Sequence, residues 1–259
     1  MTAAIRPRAL PLAALAAGLL ALTGCAALGL EHPPTAEQPL PTVDAASPTP
    51  KASGGGDGLL TDDQARAALL TQNDLGAPWS ATRGAATWRD GLLKASSRTA
   101  ECQRLLDALY ADELLGAPAR VAVGLDDADT DAQLRYQIGA RRPADVDAAL
   151  AWLRTMPERC ARFTATTENG LVEDVQVQDA PLPEVGDARQ GLRLTLYTMT
   201  SDGQNVVLTM DVAAVRVGED SFALTNGGLG DVPNEATQAA VQIGAMRLAD
   251  IRKQGRAEV

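Results

Sequence analysis

Residues 192–224 read LRLTLYTMTSDGQNVVLTMDVAAVRVGEDSFAL. Leu192, Leu194 and Leu196 alternate with Arg193, Thr195 and Tyr197, the period of a strand with one apolar and one polar face. Val206 to Val217 and Ser221 to Leu224 continue in extended character after two turn clusters, Ser201-Asp202-Gly203 and Gly218-Glu219-Asp220. Such short loops join antiparallel neighbours, so the three segments form a meander. Upstream, Arg162 to Thr166 and Val172 to Gln178 keep period two. Arg120 to Gly124 and Gln133 to Gly139 form a hairpin whose second arm alternates Leu134, Tyr136 and Ile138 with polar residues. A further strand is predicted around Ala85 to Leu93.

Helices flank these strands. Thr61 and Gln64 have the spacing of a capping box, with Asp62 and Asp63 in the first turn, and predict a short helix to about Leu70. Thr99 can cap a second helix, in which Cys102, Leu105, Leu106 and Leu109 share one face. Pro143 suits a first helical position, and Val146, Ala149, Leu150, Leu153 and Met156 make an apolar stripe leading to Cys160. A last helix, from about Asn234 to Arg252, carries Val241, Ala245, Leu248 and Ile251 on one side. The fold class is α+β: a mainly antiparallel sheet with packed helices and one disulfide, preceded by a signal peptide and a disordered tether.

The amino terminus sets the compartment. Arg6 and Arg8 precede an apolar run from Leu10 to Leu22, which at about thirteen residues is short of the ~20 that span hydrocarbon. Residues 1–24 therefore read as a secretion signal. Its ending, Leu22-Thr23-Gly24-Cys25, resembles a bacterial lipobox, which implies that Cys25 is diacylated and becomes the first mature residue. Two acyl chains give stable anchoring where one gives reversible contact. Residues 25–58 have no hydrophobic period, and Pro33, Pro34, Pro39, Pro41, Pro48 and Pro50 precede Ser53-Gly54-Gly55-Gly56. This is a tether with a reach of ~30 Å or more. Residues 59–259 form the folded domain, about 200 residues and enough for one core.

The chain has 23 basic and 33 acidic residues and a net charge of −10. Arg6 and Arg8 leave with the signal, so the mature chain is more acidic still. That surface repels nucleic acid, and no Lys/Arg cluster offsets it. Of three cysteines, Cys25 is committed to lipid, and Cys102 and Cys160 lie in an exported domain where oxidising conditions favour pairing. A disulfide between them closes a loop of roughly sixty residues, worth ~4 kcal/mol in the loop-closure model. Two buried free thiols are the alternative.

The only histidine, His32, lies in the tether. The domain thus has no imidazole for Ser-His-Asp, Cys-His or His-ligated zinc chemistry. Lys94 beside Ser96 and Ser97, and Lys253 near the end, are poor candidates for a buried, depressed lysine base. Paired carboxylates stay open, because sequence does not show which acids converge. Asp127, Asp129 and Asp131 have the first spacings of a calcium loop, but Ala132 and Ile138 stand where its glycine and bidentate acid belong, so a hairpin turn is expected. Asn226-Gly227-Gly228-Leu229-Gly230-Asp231 lacks a dinucleotide fingerprint and a phosphate-loop lysine, and reads as a strand-to-helix turn. Arg193, Thr195 and Tyr197 form a polar sheet face, read as solvated, that could line a cleft. Trp79 and Trp88 are candidate stacking platforms, and Trp152 is expected to cover the disulfide-bearing helix.

Taken together, Cys102 opening a helix, the hairpin, the helix through Met156, Cys160-Ala161-Arg162-Phe163 entering the sheet, the meander and the amphipathic last helix resemble the extracellular sensor domain of mycobacterial receptor serine/threonine kinases, also carried by many actinobacterial lipoproteins. The resemblance covers roughly Leu59 to Lys253. It implies an α+β domain with a ligand-binding cleft, here without a kinase or membrane helix and with one candidate disulfide rather than two. The function expected is that of a non-catalytic, sensor-like ligand-binding domain on a lipoprotein held at the extracytoplasmic face of the cell membrane through acylated Cys25. Its partners would be membrane lipid and a small molecule or envelope component. A protein-interaction adaptor for an envelope protein is the alternative. No cofactor, metal or catalytic residue is implied, and the ligand-binding residues stay unknown.

Overall fold

The computed structural model describes residues 59–257; the signal peptide expected over 1–24, Cys25 and the tether expected over 25–58 lie outside the described residues. The chain forms α1 (Asp62–Ala67), α2 (Gln72–Leu75), β1 (Trp79–Ala81), a π-helical turn (Arg89–Leu93), β2 (Ala95–Ser97), α3 (Ala100–Tyr110), β3 (Val121–Asp127), β4 (Gln133–Gly139), α4 (Pro143–Arg154), α5 (Met156–Arg159), β5 (Arg162–Thr167), β6 (Val172–Asp179), β7 (Ala188–Met199), β8 (Asn205–Val217), β9 (Asp220–Leu229) and α6 (Glu235–Ala257). All nine strands join one antiparallel sheet in the order β1-β3-β4-β9-β8-β7-β6-β5-β2. The α+β class and the meander are as read from the sequence.

Strand alternation supplies a core on each face. On one side Val175, Val177, Leu192, Leu194, Leu196, Leu208, Met210 and Val212 pack against Leu105, Leu106 and Leu109 of α3 and Val146, Leu150 and Leu153 of α4. On the other, Leu134, Tyr136, Ile138, Val215, Phe222 and Leu224 meet Ala240, Val241, Ala245 and Leu248 of α6. Gly244 is where α6 comes closest: a Cβ there would lie 2.6 Å from the Tyr136 Oη. Cys102 and Cys160 are joined by a buried disulfide, with Cα atoms 5.6 Å apart, tying α3 to the end of α5.

Two local readings are corrected. The strand predicted at Ala85 to Leu93 is a π-helical turn between two short strands. Its Arg89 is buried, and its Nη2 donates to the carbonyls of Leu109 and Tyr110 and to Asp112. The turn therefore caps the otherwise unpaired carbonyls at the end of α3. The glycine run is also not a turn at its start: β9 extends through Leu229. A Cβ on Gly227 would lie 3.0 Å from Trp88 Cη2, and one on Gly228 3.1 Å from Ala132 Cα. These glycines permit close approach within the sheet.

Candidate binding site

α6 packs over β8 and β9, and among the described residues no helix covers the α6-side face of β5, β6 and the adjoining ends of β7 and β8. The sheet register brings Thr164, Asp174, Tyr197 and Val207 into one row across this face. Beside it, Thr166 pairs with Val172 and Met199 with Asn205. Val172 is 61%, Met199 62% and Tyr197 44% exposed. Large apolar side chains this open, side by side, leave an apolar patch of the kind that marks an interaction surface. They line a depression of about 590 Å3 together with Thr164, Asp174, Asn205 and Val207.

Its polar rim is fixed by an ion pair. Arg162 Nε lies 2.9 Å from both carboxylate oxygens of Asp174, and Nη2 also contacts Oδ2. The hydrogen bonds and charge of Asp174 raise the Arg162 pKa above its usual range. The pair sets a guanidinium donor beside a carboxylate acceptor at the rim, an arrangement suited to orienting a polar group.

Glu173, next to it in sequence, points the other way. Alternation along β6 turns its side chain to the α3–α4 side, where it is 0% exposed and neither carboxylate oxygen has a hydrogen-bond partner. Burial pushes its pKa up to about 7. Glu173 also borders the depression, but its carboxyl and that of Asp174 lie on opposite faces of β6.

The other residues singled out in the sequence are dispersed. Arg193 is half-buried and engaged: it bridges buried Asp211 at 2.9 Å and exposed Asp231 at 2.8 Å and donates to the carbonyl of Val232. Asp211 in turn accepts from Thr237 at the start of α6. Of that polar face, Tyr197 reaches the depression. Trp88 is core, and Trp79 packs at the edge of the α6-side core. Trp152 donates to Glu101 at 3.2 Å, and Arg104 stacks 4.1 Å from its ring centroid. This pair lies beside a second cleft, of about 310 Å3, between α3 and α4. Lys94 pairs with exposed Glu168 at 2.8 Å. Asp127 accepts the amides of Asp129 and Thr130, as a turn does, and Asp126 accepts from Thr82 and Gln133. Among the described residues no cluster of three or more His, Cys, Asp or Glu forms a metal site. Sequence reasoning missed Val172 and Met199, because exposure of an apolar residue at a strand end depends on which neighbours cover it.

No protein-family model matches the chain, and no curated protein matches it. A search of solved structures finds the extracellular domain of PknH from Mycobacterium tuberculosis, 14% identical, with a TM-score of 0.42, over 75% of this chain and 97% of that one.

Proposed function

We propose that this chain is a lipid-anchored, extracytoplasmic binding module whose uncovered sheet face takes a ligand with a flat apolar part and a polar end. The observation that carries this reading is the cluster of Val172, Tyr197 and Met199, exposed together over the depression. Tyr197 offers a ring face for stacking, and the Arg162–Asp174 pair offers a donor and an acceptor at the rim. The run Leu22-Thr23-Gly24-Cys25 supports an acylated Cys25 and a place on the outer side of the membrane. The reading is non-catalytic: of the two acids bordering the depression, Asp174 is tied to Arg162, and the carboxyl of Glu173 is buried on the other face of β6.

The test is the melting temperature of the chain from residue 25, carrying Cys25→Ser, against a panel of envelope lipids, glycans and metabolites. A ligand that binds the native state alone raises stability by mass action, about 2.7 kcal/mol at a hundred times Kd. A saturable rise that Met199→Asp abolishes supports the module. A flat panel moves the reading to a protein adaptor using the same patch.

A further inference from the structure

The sheet has a gap in one edge. β2 is three residues long and pairs Ala95, Ser96 and Ser97 with Thr167, Thr166 and Ala165, so among the described residues the first half of β5 has no neighbour on that side. The hydrogen-bond phase of β5 follows from its inner partner: the Thr167 amide donates to the Leu171 carbonyl at 2.9 Å, and the Val177 amide to the Ala161 carbonyl at 3.1 Å. Odd-numbered residues thus bond to β6, and the backbone groups of Arg162, Thr164 and Thr166 turn outward. Thr166 lies opposite Ser96. Among the described residues, no backbone group outside the sheet bonds to Arg162 or Thr164. They face a groove of about 460 Å3 lined also by Ser97, Arg98 and Thr99.

We propose that this gap takes an extended, carboxylate-bearing peptide as an added strand continuing the line of β2. Unpaired strand groups at an edge are a template for another backbone, and main-chain bonds supply the affinity in such complexes. The gap is only three residues long and is closed at one end by β2, which admits a peptide and would collide with the broad sheet edge of a second copy. The charge is set by Arg98, exposed and without an ion pair among the described residues, whereas its basic neighbours Lys94, Arg159 and Arg162 are each paired. Arg98 stands just before α3, whose Thr99 makes no side-chain capping bond, so the positive end of the helix adds to the preference for an anion. Glu101, in the same turn, is engaged by Trp152 and Arg159. The groove shares Thr164 and Val172 with the depression, yet its chemistry is backbone pairing and does not depend on Tyr197.

The test is selection of a displayed random heptapeptide library on the Cys25→Ser chain, followed by fluorescence polarisation with the enriched sequences. Enriched peptides are expected to be rich in Asp or Glu, to weaken at least tenfold with Arg98→Glu, and to bind Tyr197→Ala unchanged. N-methylation of alternate peptide amides is expected to abolish binding in one phase and spare it in the other, a readout that alters nothing in the protein. Thr164→Pro, which removes an edge N–H, should abolish binding as well. No enrichment, or affinity indifferent to both Arg98→Glu and the methylation phase, overturns the proposal. Loss of binding in Tyr197→Ala alone would assign the peptide to the depression instead.

Discussion

Glu173 is the least comfortable residue in the fold. Its carboxyl is fully buried with no hydrogen-bond partner, and burial is the sole cause of a pKa near 7, since no charged side chain lies close enough to oppose it. The folded state therefore holds a proton that the unfolded chain gives up at about the ordinary glutamate value. The fold binds more protons than the unfolded chain between those two values, so this residue's contribution is most favourable below about pH 4.5 and is lost as pH rises through about 7. The loss reaches about 3 kcal/mol at most. Denaturant unfolding at pH 5 and pH 8 should show wild type losing stability that Glu173→Gln does not lose. Equal losses in the two proteins would show that Glu173 reaches solvent. At this scale the sequence was only partly legible: Cys102 and Cys160 follow from compartment and inventory, whereas a charged residue facing a core breaks the pattern that makes cores readable.

Among elements, the disulfide and the glycines of β9 carry separate loads. Replacing Cys102 and Cys160 with Ala frees the 58-residue separation they close and should cost about 4 kcal/mol, near 10 °C in melting temperature, by calorimetry. Gly227→Ala should cost about 1–3 kcal/mol, because its Cβ needs the space held by Trp88 and Met210; an unchanged melting temperature would mean that Trp88 shifts freely. Strands from Gln133 onward were legible because period two is strong wherever one face is buried. The turn at Arg89 was not. Its apolar residues fit a strand, and what decides the matter is a long-range bond from Arg89 to the end of α3. β9 was read short for a related reason: glycine is a loop residue by propensity and a sheet residue only where a neighbour needs the room. The depression was legible as a polar face at Tyr197 but not as a site, since Val172 and Met199 count as core by type and are left open by where α6 lies.

For the whole molecule, the proposed anchor and the proposed site are separable. Cys25→Ser should shift the protein from the membrane fraction to soluble or unprocessed material while leaving the melting temperature of the domain unchanged; full membrane retention would contradict lipidation. The acidic chain, with net charge −10, should associate with neutral and anionic vesicles only when acylated. The central claim is that the uncovered face around Val172, Tyr197 and Met199 is where a ligand sits. Its most direct test is amide chemical-shift mapping of the Cys25→Ser chain with whichever panel compound raises its melting temperature. The account predicts saturable shifts confined to residues 164–174 and 197–207. Shifts centred instead on Arg104 and Trp152, between α3 and α4, would contradict it.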